Sequence, residues 1–161
     1  MSVFRVMLDT LPPAGSLIDL PADQAHHLAR VRRLAIGDRI ECMDRAGAKA
    51  GAVVERIAAT TVSIRVAAVE PARTGSQSSI TVLPALLPEA KLDLVLQKCT
   101  ETGVQSCCPV LCERSIVKEY GKALERKLAR WRRICDEAAR QCGGPPMQVS
   151  PPVPLAEALA G

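Results

Sequence analysis

The chain has 161 residues, of which 48% are apolar and 24% charged, with a net charge of +4. That composition excludes intrinsic disorder, and the length suffices for one large or two small domains with a core. No apolar run approaches the roughly 20 residues of a membrane span, and residues 1–10 lack the basic-then-apolar layout of a secretory signal, so a soluble, cytoplasmic protein with no membrane partner is expected.

Residues 3–69 read as β-rich, with short runs of rough period-two alternation at 3–7, 17–20, 39–43, 51–57 and 62–69. "LPPAG", "IGD" and "DRAGAK" supply the turns between them. Five short strands with one helical insertion suggest a small barrel. The insertion, residues 21–33, reads "PADQAHHLARVRR", with Pro21 suited to a first helical turn. His26 and His27 are neighbours, so on a helix they point about 100° apart and cannot chelate one metal comfortably. Leu28, Val31 and Leu34 make an apolar side, which leaves Arg30, Arg33 and His26 outward. A plain solvated face explains this basic surface, and so does phosphate contact, to which clustered guanidiniums are suited.

Residues 70–79, "EPARTGSQSS", are polar and aperiodic and read as a linker. Residues 80–87 are then an apolar run of the kind expected for a strand covered on both faces. A helix follows with Leu92, Val95, Leu96 and Cys99 on one side and Gly103 as its stop. Residues 104–111 read as a second buried strand, and strand–helix–strand implies a parallel βαβ unit. A long helix over 121–142 buries Leu124, Leu128, Trp131, Cys135, Ala138 and Cys142. Arg126, Arg130, Arg133, Glu137 and Arg140 share another side of it. Residues 143–154 are rich in breakers, and 155–159 form a short final helix.

The seven cysteines are odd in number, lie in apolar segments and include no C-x-x-C. Reduced core thiols are expected, not a disulfide framework or a metal site. Phe4, Tyr120 and Trp131 are the whole aromatic complement, so base stacking is largely unavailable and any nucleic-acid contact must be electrostatic. No dinucleotide fingerprint, phosphate loop or nucleophile elbow is present. Glu101 and Glu113 follow element ends, where functional carboxylates often sit. Lys98 and Arg114 are better candidates, because they flank the βαβ unit and ligands gather at the carboxyl ends of such sheets.

Four segments, "HHLARVRRLAIGDRIECMDRAG", "KLDLVLQKCTETGVQSCCPVLCERSIVK", "RWRRICDEAARQC" and "PPVPLAEAL", carry a resemblance. Together they resemble the bacterial 16S ribosomal RNA (uracil-N3) methyltransferases of the SPOUT, or trefoil-knot, superfamily. The resemblance implies a two-domain α+β/α-β protein: a PUA-like small β-barrel over 1–73, the 70–79 linker, then a SPOUT-type α/β (knot) domain over 80–161. It implies methyl transfer from S-adenosylmethionine to N3 of a 16S rRNA uridine (position 1498 by the family's convention), by a homodimer acting on the small ribosomal subunit. It places His26, Arg30, Arg32, Arg33, Lys98, Arg114 and Gln141 against RNA and Glu101 on the substrate side, and implies no metal. Thr102, Arg140 and Gly144 depart from the family's usual residues. The family's pattern also continues through a glycine-rich loop and a further segment that build the knot and the cofactor pocket. Neither is found up to Gly161, so the knot domain is expected to be incomplete, with no cofactor-binding or catalytic residue identified. Apolar sheet edges would then be exposed, which predicts aggregation or an unusual dimer.

Overall fold

The computed structural model describes residues 4–26, 28, 34–58, 60–70, 79–117 and 120–160. The chain divides into two compact units, 1–74 and 75–161.

The first unit is a five-stranded mixed sheet. Its strands are β1 (Arg5–Leu8), β2 (Leu17–Asp19), β3 (Arg39–Asp44), β4 (Lys49–Ile57) and β5 (Val62–Glu70), in spatial order β1-β3-β4-β5-β2. β1 runs parallel to β3, and the other neighbours are antiparallel. Alternation drives the pleat: Ala50, Ala52 and Val54 of β4 are buried while Gly51, Val53 and Glu55 face out. Val6, Ile40, Cys42, Val62 and Ile64 join Ala52 and Val54 in one core. The β3–β4 connection is fixed by Asp44, whose Oδ1 accepts the N–H groups of Ala46 and Ala48 at 3.0 Å each, with Gly47 at φ 90°.

The expected barrel is an open half-barrel, because β1 and β2 are its two edges and do not pair. The helical insertion supplies part of the closure. In α1 (Ala22–His26) the Gln24 amide donates to the Met7 carbonyl at 2.7 Å and accepts the Met7 N–H at 3.1 Å. One side chain thus satisfies both backbone groups that an edge strand leaves open at that residue. Of the helix expected over 21–33, residues 27 and 29–33 lie outside the described residues.

The second unit is a parallel α/β arrangement. β6 (Thr81–Val82), α2 (Glu89–Glu101), β7 (Ser106–Cys107) and β8 (Val110–Leu111) are followed by α3 (Leu124–Cys142), β9 (Gln148–Val149), β10 (Val153–Pro154) and α4 (Leu155–Ala160). The continuous strands expected over 80–87 and 104–111 are each cut short, and register explains it. Thr81 pairs Ser106, Val82 pairs Cys107 and Ala85 pairs Val110, a constant offset of 25, so Pro84 stands opposite Pro109. Leu86 and Val110 each donate across this pair of strands, but proline has no N–H, so residue 84 cannot continue the ladder. In the third strand Cys107 pairs Val149 and Val110 pairs Val153, so the offset grows from 42 to 43 at Pro151–Pro152. A line of prolines therefore crosses all three strands at one level. It splits the sheet into the β6-β7-β9 and β10-β8 ladders.

The helices hold this sheet together. Leu92 and Leu96 of α2 and Leu128, Trp131 and Cys135 of α3 are fully buried against Leu86, Cys107 and Met147. Tyr120 meets Trp131 edge-on at 5.6 Å. α3 ends at Gly143, whose φ of 75° is left-handed and whose N–H returns to the Ala139 carbonyl. Cys142, expected on the buried face, is exposed, while Ala139 is buried. Cys142 has the right angular position, but it is the helix's final residue, beyond the buried stretch. Among the described residues no helix is long and apolar enough to cross a membrane.

Candidate nucleic-acid and substrate site

In the first unit, His26 is the last residue of α1 and is exposed. Arg30, Arg32 and Arg33 lie outside the described residues.

In the second unit the predicted residues fall at two ends. Lys98 sits in the last turn of α2 and donates to Glu101 Oε2 at 2.8 Å. The Gln97 amide donates to Glu101 Oε1, also at 2.8 Å. The Lys98 ammonium first, and the Gln97 amide second, hold the Glu101 carboxyl below the usual carboxylate range. At neutral pH Glu101 is thus an anion with both oxygens engaged, suited to orienting donors and unsuited to giving up a proton. Gln141 lies in the last turn of α3 and shares with Gln97 a 670 Å³ groove between the two helices. Leu94, Ile134 and Ala138 form its apolar wall, and Arg130 and Arg133 add cations.

Arg114 is elsewhere. It is exposed in the turn that follows β8, where the Cys112 N–H donates to the Ser115 hydroxyl at 3.3 Å. α2 and α3 run back to the amino ends of β7 and β9, so Lys98, Glu101 and Gln141 gather at the amino end of the sheet. Arg114 marks the carboxyl end, about 20 Å away along the six residues 106–111. The expectation that Lys98 sits where ligands gather in α/β sheets is therefore corrected, because a helix that crosses between parallel strands reverses direction. Glu113 stands beside Arg114 at the carboxyl end and is exposed.

Sequence reasoning missed Gln97, whose signal was a Gln–Glu pair at i,i+4 on a predicted helix. It also missed the role of Arg130, whose guanidinium reaches back to Glu89 at 2.7 Å and to Asp93 on α2. Lys127 joins it on Glu89 at 2.7 Å. The Lys127 contact foremost, with Arg130 adding to it, lowers the Glu89 carboxyl.

Three of the seven thiols are withdrawn into the cores. Cys42, Cys107 and Cys135 are fully buried, and burial pushes Cys42 and Cys107 up to about 12. Among the described residues no group of three His, Cys, Asp or Glu could hold a metal ion.

A half-barrel of the PUA-like kind followed by a parallel α/β unit is the architecture of an RNA-modifying methyltransferase. The model of the RNA methyltransferase domain matches residues 74–161, and that of the RNA methyltransferase PUA domain matches 20–67. The chain belongs to the RNA methyltransferase domain family. It is 30% identical over 137 residues to the ribosomal RNA small subunit methyltransferase E of Mycobacterium bovis, covering 83% of this chain and 51% of that protein. It is 32% identical over 124 residues to the Bacillus subtilis protein of the same name, covering 76% and 48%. The chain thus spans about half the length of these curated relatives. Among solved structures, it is similar to a ribosomal RNA small subunit methyltransferase E from Neisseria gonorrhoeae bound to S-adenosylmethionine. There the TM-score is 0.88 at 27% identity, over 98% of this chain and 65% of that one. A putative methyltransferase from Legionella pneumophila shares the fold, with a TM-score of 0.90 at 24% identity over 99% and 66%.

Proposed function

We propose that the protein acts in S-adenosylmethionine-dependent methylation of uridine N3 in 16S rRNA, as a homodimer working on the small ribosomal subunit. In this reading residues 1–73 form the RNA-gripping PUA-like domain and 70–79 the linker. Residues 80–161 supply the first part of a SPOUT-type knot domain. One observation carries the reading: two family models of RNA methyltransferases match in sequence order, and to within one residue each falls in a different compact unit.

Within it, His26, Arg30, Arg32 and Arg33 grip RNA phosphate from the first unit, and Lys98, Arg114 and Gln141 contact RNA from the second. Glu101 holds Lys98 in place on the substrate side. The residues described here do not by themselves fit the cofactor. Pro88–Glu89 and Cys112–Glu113–Arg114 follow the first two strands, with no glycine-rich turn to admit its backbone closely.

Binding of 16S rRNA to the chain across a salt series tests the RNA half of the reading. Affinity is expected to fall by about 0.7 to 0.9 log units per log of salt for each phosphate neutralised. Absence of salt-dependent binding would overturn it. Calorimetric titration of S-adenosylmethionine tests the fit argument, and saturable one-to-one heat would refute it.

A further inference from the structure

The basic excess along α3 is only partly absorbed by the groove just described, which takes in Arg130 and Arg133. We propose that the solvent face of α3 is a second contact for the RNA backbone, separate from the His26–Arg33 segment and continuing outward from the groove that Gln97 and Gln141 line; the proposal rests on the RNA reading above.

Arg126, Arg133 and Arg140 recur every seven residues, so they form one row along the helix with steps of about 10.5 Å. The row lies opposite the buried residues Leu128, Trp131, Cys135 and Ala138. Lys127 and Arg130 turn onto Glu89 and Asp93 of α2, whereas Arg126 adds only a weaker electrostatic pull on Glu89 and Arg133 borders the groove beside Arg130. Arg126 and Arg132 are exposed, and the Arg133 side chain is 77% exposed with only a loose 3.7 Å pairing to Glu137. Lys122 stands in the 3-10 turn just before the helix and Glu137 lies beside the row, whereas Arg132 projects about 120° away from Arg126 and lies off it.

Spacing identifies the partner. Guanidiniums about 10.5 Å apart in a line cannot converge on one small anion, whereas an extended polyanion meets them in turn. A lipid surface fits poorly, because membrane-lying helices insert an apolar face and the apolar face of α3 is already the core of its unit. The scarcity of aromatics leaves guanidinium–phosphate pairing as the available chemistry.

The test compares the full chain with its Arg126→Gln/Arg133→Gln variant, titrating a labelled RNA hairpin across a salt series. Arg140, which has a neighbour within the fold, is left unchanged. The slope of log affinity against log salt is expected to shrink by about 1.4 to 1.8 for the two phosphates released, with the melting temperature unchanged. Glu137→Gln, which removes the partner of Arg133, is expected to tighten binding, a change misfolding cannot mimic. RNA binding with an unchanged slope in the double variant would overturn the proposal and leave the RNA reading standing. No RNA binding by the unsubstituted chain would overturn both. Equal loss of binding to anionic lipid vesicles would show a generic cationic surface and overturn the proposal.

Discussion

The two units reach a stable sheet by different means. β4 and β5 of the first are nine residues each and pair over nearly their whole length. Among the described residues of the second, no strand exceeds two residues. Antiparallel pairing by short turns lets the first unit rest on its ladder, with one polar side chain mending an edge. The parallel unit, broken by prolines, depends on helices pressed over the break. The same class of element is structural in one unit and dependent in the other.

Removing the helix anchor should break the second unit alone. Trp131→Ala is expected to cost about 3–5 kcal/mol, as for other buried large-to-small changes. Calorimetry should lose the transition of the second unit and keep that of the first; a shared loss would refute their independence. Gln24→Ala should do the reverse. It leaves two part-buried backbone groups of Met7 without the amide, at about 1–3 kcal/mol, and hydrogen exchange of the Met7 amide should report it. Gly143→Ala forces an alanine to φ 75° and should cost about 1 kcal/mol in the second unit only.

The smallest effect sharpens the role of the helix pair. The Glu89 carboxyl is lowered in the fold, so its contribution is present above the ordinary carboxylate range and is lost as pH falls through the depressed value. Lys127→Met with Arg130→Met should therefore flatten the acid side of the second unit's stability profile. An unchanged acid limb would mean these pairs are mere surface contacts.

Much of this was legible in the sequence, because burial leaves a period. The face of α3 through Leu128, Trp131, Cys135 and Ala138 could be read at four-three spacing, and Gly103 and Gly143 marked stops by their chemistry. The Lys98–Glu101 contact lies within one helix, so spacing alone brings the pair within reach. What stayed hidden needs a second element. Nothing in the run "VLPALLP" shows that Pro84 faces Pro109 until the register is known. The turn of Arg130 onto Glu89 and Asp93 depends on how two helices pack. Of the five arginines along α3, only tertiary structure picks out Arg130 as the one that clamps α2 and leaves Arg126, Arg132 and Arg133 exposed.

The proline line has a consequence for solubility. Zipper-like stacking between chains needs six or seven consecutive residues free to extend, without proline. Each strand of the second unit is interrupted before it reaches that length, at Pro84, at Pro109 and at Pro151–Pro152. Exposed apolar edges such as Ile80 therefore carry their own gatekeepers, which steer the aggregation expected of such edges away from fibres.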